Sequence, residues 1–184
     1  MQVKGSAVEA IIKFVQNKFN DKYNDWINTL SGEAKEVVNE KILASSWYPI
    51  ETAMIEPTRK ICEMFYEGDM KGAWEIGRYA ADIALTGIFK LLVKVGNPRF
   101  MIMRAGGIIS SYYRPGDVKV VELRQNAIAV YLSNFPQSSP VIENRIGGWI
   151  ERALEINGCL NVHIKITQSS TRGSDVIEIV AAWQ

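Results

Sequence analysis

The spacing of apolar residues changes once along this chain, near Pro115 and Gly116. Before that point apolar side chains recur at intervals of three or four residues, as in Val8, Ile11 and Val15, which is the spacing of amphipathic helices. After it they alternate with other residues, which is typical of β-strands. Because the helical and strand patterns occupy separate stretches, the sequence predicts an α+β fold.

The order of elements follows from where these patterns stop and restart. Residues 1–115 form a helical part, whose most strongly helical segment covers residues 71–95. Beyond it the sequence predicts a hairpin that turns at Gln125 and Asn126, a helix over residues 139–157, and strands over residues 160–167 and 176–183. Residues 116–184 are therefore expected to form a β-β-α-β-β antiparallel sheet. The chain of 184 residues is expected to be one domain, 1–184, whose two parts share one core.

Composition excludes several classes of protein. The chain has 21 Lys and Arg against 20 Asp and Glu, so its net charge of +1 supplies no field to attract nucleic acid. Cys62 and Cys159 are expected to be reduced thiols of a cytoplasmic protein. The sequence starts without a signal-peptide pattern, and Lys90 and Lys94 interrupt its longest apolar stretch, so no membrane span is expected.

A single histidine, His163, limits the chemistry available to this chain. Alternation along its strand places His163 on the polar face, opposite Val162 and Ile164. The sequence has no nucleophile-elbow serine, no phosphate-binding loop and no dinucleotide-binding glycine pattern. It therefore predicts a protein without haem, protein-held metal or other cofactor, and it contains no constellation that supports an enzyme.

One side of the central helix carries only small residues. Such a face allows either the close approach of a second helix or a cavity for a ligand, and the sequence leaves both interpretations open. The residues of this face are Gly77, Ala80 or Ala81, Ala84 and Gly87. On the same helix Arg78 and Asp82 are four residues apart. They suit an ion pair at the edge of the core, within the helix or with another helix, or two polar anchors in a pocket.

Two candidate binding sites follow from these patterns. A ligand site is expected between the helical part and the sheet, and its candidate residues are Trp74, Arg78, Asp82, Phe89, Phe100, Met101 and Met103. An anion site is suggested because no acidic residue lies between Asp82 and Asp117. Its candidate residues are Lys90, Lys94, Arg99, Arg104 and Arg114. The alternative interpretation of this basic stretch is a solvated helix face.

Five short stretches, in their spacing, resemble a family of bacterial proteins of unknown function that is abundant in myxobacteria. The stretches are Lys4-Gly5-Ser6-Ala7-Val8, Trp47-Tyr48-Pro49, Gly96-Asn97-Pro98-Arg99-Phe100, Tyr112-Tyr113-Arg114-Pro115-Gly116 and Gly147-Gly148-Trp149. That family is similar to the superfamily that holds 4-vinyl-reductase domains, haem–nitric-oxide-binding (H-NOX) domains and the TRAPP vesicle-tethering subunits. The resemblance covers nearly the whole chain and implies a helical part followed by a curved antiparallel sheet with a crossing helix.

The resemblance does not carry over the inorganic sites of that superfamily. Its haem-binding branch uses a histidine on a helix before the sheet and a Tyr-x-Ser-x-Arg motif, whereas this chain has no histidine before His163 and has Phe135 where the arginine would stand. The 4-vinyl-reductase-like branch often has two cysteines around a glycine-centred loop, where this chain has Ser169 and Ile177 around Gly173. The resemblance thus implies the fold without the haem or the metal.

Together these observations favour a non-enzymatic binding module in bacterial signalling or regulation. It is expected to be a homodimer and to bind an apolar small molecule. The alternative is a protein-interaction scaffold subunit with a filled core. The two hypotheses differ in one structural property, because only the binding module requires a cavity.

Overall fold

The computed structural model describes residues 1–86 and 106–184. Its helical part begins with a short strand, β1 (Gln2–Lys4), that leads directly into α1 (Gly5–Lys18). The elements that follow are α2 (Tyr23–Thr29), α3 (Gly32–Asn39), β2 (Trp47–Pro49), a π-helical turn (Glu51–Ile55), α4 (Glu56–Phe65) and α5 (Lys71–Thr86). Residues 106–110 are again helical and precede β3 (Tyr113–Arg114).

A small sheet that the sequence patterns did not predict holds the helical part together. β1 pairs antiparallel with both β2 and β3, in the order β2-β1-β3. Val3, at its centre, lies opposite Tyr48 on one side and Tyr113 on the other. These strands have only two or three residues each, too few for an alternating pattern to be recognised. Their pairing brings the chain before β3 alongside the start of α1.

The second half of the chain has the predicted β-β-α-β-β order. Its elements are β4 (Asp117–Arg124), β5 (Ala127–Ser133), α6 (Pro140–Ile156), β6 (His163–Gln168) and β7 (Ile177–Ala182). The four strands are all antiparallel, in the order β4-β5-β7-β6. The hairpin turns at Gln125 and Asn126 as expected, because β4 ends and β5 begins on either side of them. The α+β prediction and the antiparallel sheet are confirmed.

Strand alternation gives this sheet one apolar face and one polar face. Val130 lies opposite Ile179, and Ile179 lies opposite Ile166, so one row of branched side chains crosses three strands toward the core. His163 is out of phase with this row, pairs with Ala182 and is exposed. The prediction that His163 lies on the polar face is confirmed. Buried side chains from both parts of the chain form one connected cluster.

Helices α5 and α6 pack with unusually close backbones. A β-carbon on Gly77 would lie 2.1 Å from the carbonyl oxygen of Arg145, and one on Gly148 would lie 2.1 Å from the carbonyl oxygen of Trp74. Both glycines are therefore required by the contact itself. At its N-terminus α6 is capped by Ser139, whose side chain accepts from the Ile142 amide at 3.5 Å. Within the described residues no helix is both long and apolar enough to cross a membrane.

Candidate functional site: a pocket between α1, α5 and α6

A pocket of about 540 Å³ opens among α1, α5, α6 and the chain that leads into β3. Its size falls in the range of small-molecule sites, roughly 300–1,000 Å³. Much of its wall consists of small side chains, with Ala7 and Ala10 from α1 and Ala80 and Ala84 from α5. Its larger apolar lining residues are Ile83, Ile109, Ile146 and Trp149. The pocket is therefore mostly apolar.

Both interpretations of the small-residue face on the central helix prove correct, at different positions. Gly77 allows the close approach of α6, since no side chain could fit against the Arg145 carbonyl. One and two turns later Ala80 and Ala84 line the pocket instead. Gly87 lies outside the described residues. The same stripe thus joins two helices at one end and leaves space at the other.

The ligand site was expected between the helical part and the sheet, and this pocket lies elsewhere. No residue of β4, β5, β6 or β7 is among its described lining residues. It lies within the helical part, closed on one side by α6. The periodicity of the sequence predicts the hairpin and the crossing helix. It does not predict the position of a pocket, because that position depends on how three helices pack together.

Two tyrosines at the start of β3, Tyr112 just before it and Tyr113 in it, are among the residues that line the pocket. Burial raises the pKa of Tyr112, and a hydrogen bond with Ser6 opposes that shift. Burial also raises the pKa of Tyr113, against the opposing effect of Arg145. Both phenols therefore remain protonated at neutral pH. They can donate or accept hydrogen bonds in the pocket, but they do not supply phenolate.

Arg145 is the most unusual residue of the pocket wall. Its side chain is only 4% exposed, and burial lowers the pKa of its guanidinium. Its hydrogen bonds are long and go to neutral groups, 3.3 Å to the Thr58 hydroxyl and 3.4 Å to the Ala7 carbonyl. No carboxylate pairs with it among the described residues. Arg145 is thus a buried cation, since an arginine does not lose its proton under these conditions.

Arg145 was not among the residues predicted from the sequence, although a signal was present. In a helix, Ile142 and Trp149 lie three residues before and four residues after Arg145, so all three share one face. A cation on the apolar face of an amphipathic helix is an exception to the usual pattern. The pattern of residues 139–157 therefore indicates that Arg145 is buried. It does not indicate which groups Arg145 contacts in the interior.

Three predicted ligand residues, Trp74, Arg78 and Asp82, lie in a ladder of polar contacts between α5 and α6. Its members, in order, are Trp74, Glu151, Arg78, Glu155, Arg152 and Asp82. The Arg78 guanidinium donates two hydrogen bonds, of 2.8 and 3.0 Å, to the carboxylate of Glu155. It also forms an ion pair with Glu151. Arg152 bridges Asp82 at 2.7 Å and Glu155 at 2.9 Å. The ion-pair interpretation is correct, but the pairs join two helices.

The polar ladder and the pocket are separate features. None of the six ladder residues is among those that line the pocket. Four other candidates of the ligand set fall outside the described residues: Phe89, Phe100, Met101 and Met103. The ligand role of the full set therefore stays a prediction.

Glu155 makes the stabilisation that the polar ladder provides depend on pH. Hydrogen bonds from Arg78, and then from Arg152, hold the pKa of Glu155 below its usual 4.5. A carboxylate with a lowered folded-state pKa stabilises the protein above its unfolded-state pKa and loses that contribution as the pH falls through the folded-state pKa. We expect Glu155→Gln to lower the free energy of unfolding by about 1 kcal/mol at pH 7, the scale of a well-aligned but partly exposed ion pair.

Urea denaturation of the wild type and Glu155→Gln at pH 7 and pH 3.5 measures this difference. It should shrink at pH 3.5, because below the usual pKa of 4.5 the stabilisation by a carboxyl with a lowered folded-state pKa is progressively lost. A difference of the same size at both values would contradict the assignment. Glu63→Gln is the matched control, because Glu63 makes an exposed ion pair with Lys60 within one helix at 2.7 Å. It should change stability by less than about 0.5 kcal/mol.

Of the predicted anion-binding residues, the structure describes only Arg114. Its guanidinium stacks over the ring of Trp47, 4.4 Å from the ring centre, and the residue is exposed. The other four, Lys90, Lys94, Arg99 and Arg104, lie outside the described residues. Whether these five residues act together therefore stays a prediction. Within the described part of the chain no cluster of His, Cys, Asp and Glu could hold a metal ion.

No family model matches this chain, and no curated protein does. Solved structures match over almost the full length. An H-NOX protein from S. oneidensis in the Fe(II)NO ligation state is 12% identical, with a TM-score of 0.76, covering 98% of this chain and 99% of that one.

Two further solved structures agree. The Fe(II) unliganded H-NOX protein from K. algicida is 11% identical, with a TM-score of 0.72 and coverage of 98% of this chain and 96% of that one. A mutant of T. Tengcongensis H-NOX is 13% identical, with a TM-score of 0.70 and coverage of 98% and 97%. The chain has the H-NOX fold. At such low identity the similarity establishes the fold and nothing about the ligand.

On this H-NOX fold, the positions singled out by the resemblance carry structural side chains. Phe135 packs against the ring of Tyr113, with ring centres 5.5 Å apart. Ile177 is part of the core, and Ser169 is buried and donates to the carboxylate of Glu143 at 2.7 and 2.8 Å. Glu143 is itself 3% exposed and also accepts from the Ser170 amide at 3.2 Å. These contacts tie the last loop to α6.

Proposed function

We propose that this protein is a non-enzymatic sensory or regulatory module that binds a small, largely apolar molecule in the pocket between α1, α5 and α6. It does so without haem and without a protein-held metal. The pocket itself carries this proposal, because an open pocket of about 540 Å³ lined by alanines and isoleucines is space that the core does not fill. The proposal draws support from the H-NOX fold, whose solved examples include a protein in an Fe(II)NO ligation state.

The alternative hypothesis was a protein-interaction scaffold with a filled core. A filled core would place large side chains where Ala80 and Ala84 leave space. Protein interiors are normally packed to the density of organic crystals. A gap of this size is therefore unusual in a protein whose core only has to be filled. The pocket therefore favours the binding module over the scaffold.

Haem does not suit the described residues of the pocket. Proteins hold haem iron with histidine, cysteine thiolate, methionine or tyrosinate. The only histidine of the sequence, His163, is exposed on the outer face of β6. Among the described lining residues only Tyr112 and Tyr113 are of a ligating type, and burial raises the pKa of both, which disfavours the phenolate that iron requires. We therefore propose a ligand that is not haem.

Binding of a neutral apolar fluorophore tests the proposed function. N-phenyl-1-naphthylamine is expected to bind the purified protein at one site, with a dissociation constant on the order of 10 µM, as its size allows. The measurement is a fluorescence titration, with urea-unfolded protein as the control. Failure of this fluorophore to bind would contradict the proposal.

A haemin titration tests the cofactor part of the proposal separately. After addition of haemin and desalting, the protein should retain no haem and show no Soret band of a histidine-ligated iron. One haem retained per chain would contradict it.

The remaining parts of the proposal concern the setting of the module. We propose that it acts as a homodimer in the cytoplasm, in a branch of this fold related to the bacterial family with the five stretches. Three of those stretches border the pocket, through Lys4 and Ser6, Tyr112 and Tyr113, and Trp149. Light scattering in solution that returns the mass of a monomer would contradict the dimer.

A further inference from the structure

Among the described residues no carboxylate pairs with the guanidinium of Arg145. Its partners among the described residues are the Thr58 hydroxyl and the Ala7 carbonyl, which are neutral and accept at 3.3 and 3.4 Å. Residues 87–105, which the structure does not describe, contain no Asp or Glu, so they have no side-chain carboxylate to offer. A guanidinium has five N–H donors, and these two contacts use one on each terminal nitrogen.

Burying such a charge is unfavourable unless something compensates it. The other arginines of the α5–α6 contact show what compensation looks like in this protein. Arg78 pairs with two carboxylates and Arg152 with two, at the partly exposed edge of the same helix pair. Arg145 lies deeper than either, with only 4% of its surface exposed, and none of the described residues offers it a carboxylate. Its partner is therefore expected to come from outside the chain.

The pocket that Arg145 lines has a matching electrostatic character. Its charged lining residues among those described are Lys4 and Arg145, and none is acidic. Ser6 and the hydroxyls of Tyr112 and Tyr113 add neutral hydrogen-bonding groups near them. Most of the other described lining residues are apolar. An occupant that matches this lining carries a negative charge at one end and hydrocarbon at the other.

We propose that the pocket binds an organic anion, whose carboxylate or phosphate head is held by the Arg145 guanidinium and whose apolar body lies against Ala80, Ala84 and Ile146. This inference rests on the proposed function and specifies the ligand class for the same pocket. Arginine suits this role because its planar fork matches the oxygens of a carboxylate or phosphate. Lys4 is the other positively charged residue of the described lining, and its ammonium lies 5.5 Å from the centre of the Trp47 ring. The long contacts to Thr58 and Ala7 hold the guanidinium in place for the head group.

Three ligands with one ten-carbon chain and different heads test the inference: decanoate, decyl phosphate and decan-1-ol. Each is titrated calorimetrically into the full-length protein below the concentration at which it forms micelles. We expect decanoate or decyl phosphate to bind at least about tenfold more tightly than decan-1-ol, the scale of one charge-assisted hydrogen-bonded contact. The stronger of the two anions identifies the head group as carboxylate or phosphate.

Variants of two arginines on the same helix locate the effect. Arg145→Met should abolish the preference for the anion, so that decanoate, decyl phosphate and decan-1-ol bind with similar affinity. Arg145→Lys should keep part of the preference, since it retains the charge without the fork. Arg152→Met is the matched control, because Arg152 lies two turns further along α6 in the polar ladder and does not line the pocket. It should bind all three ligands as the wild type does.

The melting temperature of the ligand-free variants separates a binding role from a structural one. If Arg145 serves the ligand, Arg145→Met should melt at the same temperature as the wild type or higher, because it removes an uncompensated buried charge. A lower melting temperature together with unchanged anion binding would make Arg145 structural and overturn the inference.

The two proposals fail in different ways. Equal affinity of the wild type for decan-1-ol and both anions overturns the anion inference and leaves the proposed function intact. Absence of binding by all three ligands and by the neutral fluorophore overturns the proposed function as well. Since the wild-type comparison needs no variant, the inference can be decided even if a variant fails to fold.

Discussion

Gly148→Ala is expected to lower the free energy of unfolding by about 3 kcal/mol, at the upper end of what overpacking a core costs. The new β-carbon would lie 2.1 Å from the carbonyl oxygen of Trp74. Backbone cannot rotate away as the end of a side chain can, so α5 and α6 must separate. Alanine favours a helix over glycine by up to about 1 kcal/mol, which offsets only part of this cost. For a chain of this size the melting temperature should fall by about 6–12 °C.

Gly77→Ala should behave in the same way, because its β-carbon would meet the Arg145 carbonyl at 2.1 Å. The two effects should not add. Separating the helices to relieve one contact also relieves the other, so the double variant should lose less stability than the sum of the single ones. Urea denaturation of the wild type, both single variants and the double variant measures this coupling.

Gly32→Ala is the matched control for both substitutions. Gly32 is the first residue of α3, and a β-carbon there would meet nothing within 4 Å. This variant should be as stable as the wild type or more stable by up to about 1 kcal/mol. If Gly148→Ala is as stable as Gly32→Ala, the result contradicts the close backbone contact between α5 and α6. The position of the pocket, which depends on that contact, would then be wrong too.

Filling the pocket is expected to have the largest effect on binding. In the double variant Ala80→Phe with Ala84→Phe, two rings occupy the space that the alanines leave on the α5 wall. Affinity for N-phenyl-1-naphthylamine should fall at least about 100-fold, which corresponds to about 2.7 kcal/mol of binding free energy. Stability should stay within about 1 kcal/mol of the wild type, because apolar rings entering an apolar cavity gain contacts.

The control for this variant uses the same positions. Ala80→Ser with Ala84→Ser changes the volume very little and should bind the fluorophore within about threefold of the wild type, since each added hydroxyl can reach solvent or a neighbouring carbonyl. A folded phenylalanine variant that binds as tightly as the wild type would remove the pocket as the ligand site. The predicted ligand-binding set that includes Phe89, Phe100 and Met101 would then be the remaining candidate site.

The polar ladder shows where local spacing reaches its limit. Arg78 and Asp82 are four residues apart, and the sequence leaves open whether they pair with each other or with residues of another helix. In the structure Arg78 reaches Glu155, and Asp82 reaches Arg152, both across the contact with α6. Periodicity indicates that a residue lies on a given face of a helix. It carries no information on which other helix will meet that face.

The sequence by itself determined the features that arise from runs of local pattern. The switch from helical to alternating spacing near Pro115 determined the α+β class, the hairpin at Gln125 and Asn126, and the polar position of His163. Each of these depends on many residues that repeat one preference, so a single exception does not obscure it. Short elements such as β1 have no such redundancy and were missed.

The tertiary structure alone decided where the space and the uncompensated charge lie. Ala80 and Ala84 line a pocket because the residues of α1 and α6 around it leave space beside them. Gly77 instead contacts α6, because the backbone carbonyl of Arg145 lies against it. The sequence contained Arg145 on an apolar helix face, but not the absence of a carboxylate opposite it among the described residues. That absence results from three helices meeting at one point, and no local preference determines such a meeting.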